Sequence, residues 1–416
     1  MSQSTDRILM SHVGSLPRPD HLIELNRKRI EREAYDEAAY QRELRDATIE
    51  VVRRQAGHGV DIPNDGEYGH AMGTKVDYGA WWHYSFSRLG GLGSWTDMAS
   101  VPVAPPANTI RLGQFLQRRD WTIFAEAYGD PEAGLAAKAK SSKEDLEMGM
   151  VLPVCTGPLT YTGQAECQRD IDNLKAGLQA VDVETGFLCS IGPGSASRIG
   201  NAHYKTDEEF VWACAEAMRE EYLAITNAGL MVQIDEPSFA ENWDQFESAP
   251  SLEDYRKFTM VRVEALNHAL RGIPQELTRF HCCWGSWHGP HTTDIELKDI
   301  VDMLLEINTG SYSFEAANVR HEHEWKVWQD VKLPEGKVLV PGVVSHATNV
   351  IEHPELVADR IERFATLVGR ENVIAGTDCG LGGRVHPQVA WAKLNTLSEG
   401  AKLASKRLWG SLAMAR

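Results

Sequence analysis

A chain of 416 residues, 43% of them hydrophobic, is long enough to bury a large core, and its formal net charge of −17 sets 42 Lys and Arg against 59 Asp and Glu. That balance, with no long basic run, excludes nucleic acid and acidic membrane surfaces as partners and leaves small molecules. The N-terminus MSQSTDRILMSHVGS has no basic region followed by an apolar stretch, and no apolar run reaches membrane-spanning length, so a cytoplasmic protein is expected.

In chain order, short β-branched runs at 8–15, 60–67, 151–158, 187–194, 229–237, 277–285, 311–318, 337–346 and 373–380 predict strands, separated by segments of helical spacing. After the second strand, the stretch 71–150 contains YGAWWHYSF and SVPVAPPAN and reads as a long excursion able to cover a site at the strand ends. After Thr206 a helix is expected, with Thr206 and Glu209 as a capping box and Phe210, Cys214, Ala217, Tyr222 and Ile225 as the apolar stripe. Another runs from Pro354 to Gly369, with Val357, Ile361, Phe364 and Val368 on one face. This alternation predicts an α/β fold, a (β/α)8 TIM barrel in one domain over 1–416 with the insertion at 71–150. Nine candidate strands compete for eight places, so either 151–158 or 187–194 is supernumerary.

Seven cysteines, odd in number and scattered, do not form a disulfide framework. Cys155, Cys167, Cys189 and Cys214 lie in or beside apolar stretches and read as small buried hydrophobes. Two others differ: Cys283, paired with His281 in RFHCCWG, and Cys379, in AGTDCGLGGR, both end strand-like runs, as does Glu315 in YSFEAAN. On an extended strand, positions i and i+2 share a face, so His281 and Cys283 point one way and Cys282 the other. A His-x-Cys pair alone more often packs than ligates. Joined by Cys379 and Glu315 it offers one nitrogen, two sulfurs and one oxygen, a tetrahedral zinc set. With two thiolates and a carboxylate the site carries a charge of about minus one, which suits holding a substrate thiolate better than generating hydroxide.

In a barrel the strand ends share one rim. There the chain places His12-Val13-Gly14-Ser15, Asp65-Gly66-Glu67, Asp235-Glu236-Pro237 and His346. Asp235 and Glu67 suit the ammonium of an amino-thiol, Ser15 its carboxylate, and His346 proton movement. Singly, each carboxylate reads as a helix cap or surface ion pair. Trp284 and Trp287 are either an aromatic wall or core packing. His321 and His323 in RHEHEW read as a solvated helix start, and His288 and His291 follow the His-x-Cys loop, where substrate contact is conceivable.

The motifs HVGSLPRP, DGEYGH, QIDEPSFAE, HCCWG, FEAAN, GVVSH and TDCGLGGR resemble, in this order, those of the C-terminal catalytic barrel of the cobalamin-independent methionine synthase family, over residues 8 to 405. The resemblance implies a (β/α)8 barrel in which zinc holds the homocysteine thiol as a thiolate and a methyl group passes to it from methyl-tetrahydrofolate. It assigns His281, Cys283, Glu315 and Cys379 as zinc ligands, and Ser15, Glu67 and Asp235 to the amino-acid part of the thiol. It makes His346 the proton-transfer residue and Glu241, in DEPSFAE, the carboxylate contacting the pterin. Two departures stand out. The chain has one barrel where full-length synthases have an additional N-terminal one. The family's tryptophan a few residues past a Gly-Pro turn is missing, whether the turn is Gly157-Pro158 or Gly192-Pro193, since the positions fall near Gln164 or Ile199. The chain looks closer to single-barrel relatives, which include zinc enzymes adding the thiol of coenzyme M to epoxides. The expectation is a zinc-dependent thiol S-methyltransferase, with homocysteine favoured and methyl-tetrahydrofolate or a small methyl compound as donor. Alkyl transfer from an epoxide or other electrophile to a thiol is the first alternative, and a barrel metallohydrolase is an alternative of another class.

Overall fold

A computed structural model describes residues 3–75, 80–93, 118–130, 153–246 and 249–410. Its strands are β1 (Leu9–Met10), β2 (Leu89–Gly93), β3 (Val154–Tyr161), β4 (Phe187–Ile191), β5 (Gly200–Asn201), β6 (Met231–Asp235), β7 (Thr278–Cys282), β8 (Ser311–Phe314), β9 (Val338–Val344) and β10 (Ile374–Thr377). Seven of them pair in the order β1-β10-β9-β8-β7-β6-β4, each pair parallel. The ring is closed by the segment expected as the 60–67 strand. Asp61 and Ile62 donate backbone N–H groups to the Met10 carbonyl at 2.9 and 3.3 Å, Phe187 donates to the Pro63 carbonyl at 3.1 Å, and Asn64 bridges Phe187 in parallel. The fold is the expected (β/α)8 barrel.

The choice between 151–158 and 187–194 falls to the second. Every residue of β4 is buried, as a barrel strand sandwiched between interior and helices must be. By contrast, β3 is buried only at Val154, Cys155 and Tyr161 and is exposed or half-buried between them, and it pairs antiparallel with β2 and parallel with β5 in a separate three-stranded sheet. That sheet is fixed to the barrel through Glu221, fully buried, which accepts hydrogen bonds from Arg88, from the Tyr161 hydroxyl at 2.6 Å and from Ser190 of β4 at 2.6 Å.

Ile62, Phe187, Cys189, Met231, Val338, Val340 and Ile374 form an interior cluster, while Leu188, Val232, Ile234, Phe280 and Leu339, on the alternate faces, join the larger core toward the helices. In the Asp207–Asn227 helix, Phe210, Cys214, Ala217, Tyr222 and Ile225 are all buried. Large apolar side chains such as Phe210 and Ile225 each contribute roughly 1.5–3 kcal/mol relative to exposure. Its expected capping box is half formed: the Thr206 hydroxyl accepts from Glu209 N–H at 3.0 Å, but the Glu209 carboxylate accepts from the N–H of Lys205, one residue earlier than the box requires. The Pro354–Val368 helix buries Val357, Ile361 and Phe364. Of the 71–150 excursion, the described parts include a helix at Ala80–Ser87, β2, and short helices at Arg119–Ile123 and Ala125–Gly129; the rest lies outside the described residues. Among the described residues no helix is long and apolar enough to cross a membrane.

Candidate metal centre and substrate pocket

Parallel register places the chemistry. Asp235 of β6 pairs with His281 of β7, which pairs with Ser313 of β8, and Val344 of β9 pairs with Thr377 of β10. Cys283, Glu315, His346 and Cys379 each follow one of these paired residues by two positions, so the pleat returns them to the same face just beyond the strand ends.

Ligand atoms of His281, Cys283 and Cys379 lie within 4.8 Å of one another, with the two sulfurs 3.9 Å apart. The Nε2 of His281 is buried without a nitrogen or oxygen partner. The hydrogen bond from Cys283 to Cys379 holds Cys379 below and Cys283 above the usual thiol range. A buried imidazole lone pair facing two sulfurs, one already acidified, fits zinc or another borderline-soft cation. Cys282 points away into the core, fully buried.

Glu315 stands apart from these three. One of its oxygens accepts from Trp284 N–H at 2.9 Å and the other from the Asn318 side chain at 2.6 Å, and its ligand atom groups instead with His346 and Asp378 within 4.8 Å. Burial, reinforced by Asp378, pushes its carboxyl up to about 8, and burial likewise takes Asp378 to about 6. His346 is 1% exposed, neither ring nitrogen has a hydrogen-bond partner, and burial lowers it to about 3, so it is a neutral base.

Glu67 and Asp235 converge with Cys189, ligand atoms within 4.8 Å. Cys189, expected as an apolar filler, is buried but packs between these carboxylates and donates to the Val13 carbonyl at 3.4 Å. Burial and the Glu67 charge hold Asp235 well above the carboxylate range. Burial pushes Glu67 the same way, but the hydrogen bond and charge of His70, with Arg18, prevail and take it to about 2. The two carboxylates are thus driven in opposite directions, Asp235 toward its protonated form and Glu67 toward its ionised one. Asp235 is oriented by Gln233 at 2.8 Å and by the Trp81 indole N–H at 3.2 Å. Glu67 itself has φ 56°, a conformation held by its surroundings. Gly14 makes room for it: a Cβ there would lie 2.3 Å from the Glu67 carboxylate and 2.6 Å from Cys189 Sγ. Ser15 accepts from Arg18 at 2.7 Å on the same rim.

His321 differs from its sequence reading, and the surroundings of Glu241, Trp284 and Trp287 are now defined. His321 is no solvated helix start: it is 3% exposed, bonded to Asp294 at 3.0 Å and Glu324 at 2.9 Å, and lies 4.2 Å from the Trp284 ring. His323 is exposed, as expected. Glu241 is buried with its two carboxylate oxygens bound by Arg118 and Arg198. Trp284 is core, its N–H bonded to Ile295 at 2.7 Å, whereas Trp287 stacks on His291 at 4.0 Å and under Arg118. Sequence reading missed Arg118 and Arg198: neither the arginine ending GPGSASR nor the first of the two in QRRD carries a signal until its acceptors are known.

A Gly- and thiolate-rich barrel rim with this ligand register defines a class, and comparison with known proteins agrees. The family model "Cobalamin-independent synthase, Catalytic domain" matches residues 194–403. The chain belongs to that family. It is 22% identical to the methionine synthase of Thermococcus kodakarensis over 402 residues, covering 96% of this chain and 94% of that one. It is 26% identical to 2-hydroxypropyl-CoM lyase of Xanthobacter autotrophicus over 235 residues, covering 50% and 57%. Among solved structures, a B12-independent methionine synthase from Shewanella sp. W3-18-1 in complex with selenomethionine superimposes with TM-score 0.67 at 20% identity, covering 97% of this chain and 99% of that chain.

Proposed function

We propose that this member of the methionine synthase family is a zinc-dependent thiol alkyltransferase, a single-domain cytoplasmic enzyme whose favoured acceptor is homocysteine. The observation that carries the reading is the unpartnered Nε2 of His281 beside the Cys283–Cys379 sulfur pair. His281, Cys283 and Cys379 would hold the ion, with Glu315 turning toward it as fourth ligand. When bound there, zinc would keep a substrate sulfur deprotonated at neutral pH.

The chain's own residues do the rest. Glu67 and Asp235 take the acceptor's ammonium, and Ser15, braced by Arg18, takes its carboxylate. His346, buried with neither ring nitrogen hydrogen-bonded, would take up the thiol proton as the acceptor enters, once a bound metal has made that thiol acidic. Trp81 over Asp235, together with the 118–130 segment beside Trp287, excludes water from the reacting sulfur, the lid role expected of the 71–150 excursion.

The donor is a methyl compound, methyl-tetrahydrofolate or a smaller one, or an epoxide; the 2-hydroxypropyl-CoM lyase likeness favours keeping the epoxide reading. The ammonium-matched pair favours an amino-thiol over a sulfonate thiol. Incubating the zinc-loaded protein with homocysteine and each donor in turn, and detecting the thioether by mass spectrometry, tests this. Wild-type protein should form product, and Cys283→Ser should lose zinc and product together. Full activity without zinc overturns the assignment.

A further inference from the structure

We propose that Arg198 and Arg118 form a binding site for an anionic group, a carboxylate or sulfonate, on the alkyl donor. This rests on the thiol-alkylation reading and names its second substrate class. Arg198 follows the Gly192-Pro193 turn and the short Pro193–Ala196 helix after β4, and is 1% exposed. Its Nη1 donates to Glu241 at 2.6 Å, while its Nε and Nη2 are buried with no partner. A buried guanidinium with unmet N–H groups is costly, and its planar fork matches the oxygens of a carboxylate or sulfonate.

Most of the neighbouring acceptors are already used, and the unpartnered Oδ2 of Asp244 lies 3.9 Å from Arg118 Nη1 rather than beside Arg198. Arg118 binds the other oxygen of Glu241, and the Gln245 amide oxygen, turned toward the arginines, accepts from Arg118 at 2.9 Å and Arg198 at 3.2 Å. Glu236 is taken by the Ser195 and Ser238 hydroxyls and by Gly194 N–H. One oxygen of Asp244 accepts from Thr293 and from Asp120 N–H. None of these reaches the free edge of Arg198, which leaves that edge for the oxygens of a bound anion.

The site adjoins the reaction centre through its tryptophans. The Trp82 ring lies 4.9 Å from the Arg198 guanidinium and packs edge-on against Trp81 at 4.7 Å, and Trp81 donates to Asp235. The Trp287 ring, four residues past Cys283, lies 4.1 Å from the Arg118 guanidinium. The rim therefore has two poles: an acidic pair that takes an ammonium and an arginine pair that takes an anion. Opposite polarity keeps the two substrates from exchanging places. Glu241, held by both arginines, sets the guanidinium planes.

The test is titration of the zinc-loaded full-length protein, followed by tryptophan fluorescence and calorimetry, with N-(4-aminobenzoyl)-L-glutamate and 3-phenylpropanesulfonate. The neutral controls are 4-aminobenzamide and 3-phenylpropanesulfonamide. At least one anion should bind about tenfold tighter than its neutral counterpart, a preference that weakens with salt and disappears in Arg198→Met. Preference for the glutamate conjugate would identify a folate tail, and for the sulfonate a small sulfonated donor; either supports the site. Glu241→Gln frees guanidinium donors and should tighten anion binding, which keeps the test valid if Arg198→Met misfolds. Equal binding of anions and neutrals by the wild type, or a preference that survives in folded Arg198→Met, overturns the proposal. Anion preference without thiol alkylation would overturn only the proposed function; alkylation without anion preference would overturn only this site.

Discussion

The Nδ1 of His281 lies 3.2 Å from the Ser313 hydroxyl, while Nε2 of the same ring is left free toward Cys283 and Cys379. With Ser313 accepting, the proton stays on Nδ1 and the lone pair is presented by Nε2. β7–β8 register sets His281 against Ser313, so a Ser313 hydroxyl that accepts from Nδ1 would select the tautomer a metal requires.

Ser313→Ala should therefore weaken zinc binding about 10- to 100-fold while leaving the three ligands in place. Competition against a chromogenic chelator measures it. An unchanged affinity would show that Ser313 does not orient the ring.

His346→Gln should retain zinc and lose about 10²- to 10⁴-fold in kcat. Because burial lowers His346 to about 3, its folded value lies below its unfolded one. Its neutral form persists through the ordinary histidine range, so the wild-type rate should be flat across pH 6.5, and stability should decline as pH falls from there toward 3. An acid limb near 6.5 that vanishes in the variant would contradict this.

His321→Gln probes the buried imidazolium behind Trp284. Burial disfavours the charge, but hydrogen bonds to Asp294 and Glu324 prevail and raise it to about 10. A raised folded value contributes stability that is complete below the unfolded value of 6.5 and lost as pH rises through 10. The variant should be less stable by about 3–5 kcal/mol at pH 6, and the gap should close toward pH 10. Denaturant unfolding at both pH values decides; a gap independent of pH would mean that packing, not charge, is lost.

Glu221→Gln should destabilise by about 3–5 kcal/mol, because it leaves the Arg88 guanidinium buried without its carboxylate. The double variant with Arg88→Met should recover part of this in denaturant melts. Additive losses would argue against a coupled pair.

Much of the fold was legible because barrel strands are short β-branched runs buried on both faces, and such runs are visible in a single sequence. The strand-end residues His281, Cys283, Cys379 and His346 were legible for the same reason: a chemically active side chain ending an apolar run stands out. Arg198 was not, since one arginine in a loop carries no signal until its acceptors are known. His321 was misread because RHEHEW has the composition of a solvated turn, and only Asp294 and Glu324 folding over it, with Trp284 beneath, made it interior.

By itself the sequence determined the alternation of strand and helix, the residues at the rim and the mixed nitrogen–sulfur chemistry of the centre, because these depend on local pattern and residue type. Tertiary structure alone decided that 187–194 lines the barrel and 154–161 does not, that Glu315 groups with His346 and Asp378, and that Glu241 is held by two arginines. Those outcomes depend on which distant segments pair and which buried charges meet. Arg118 lies 123 residues from Glu241, and no periodicity along the chain encodes such a contact.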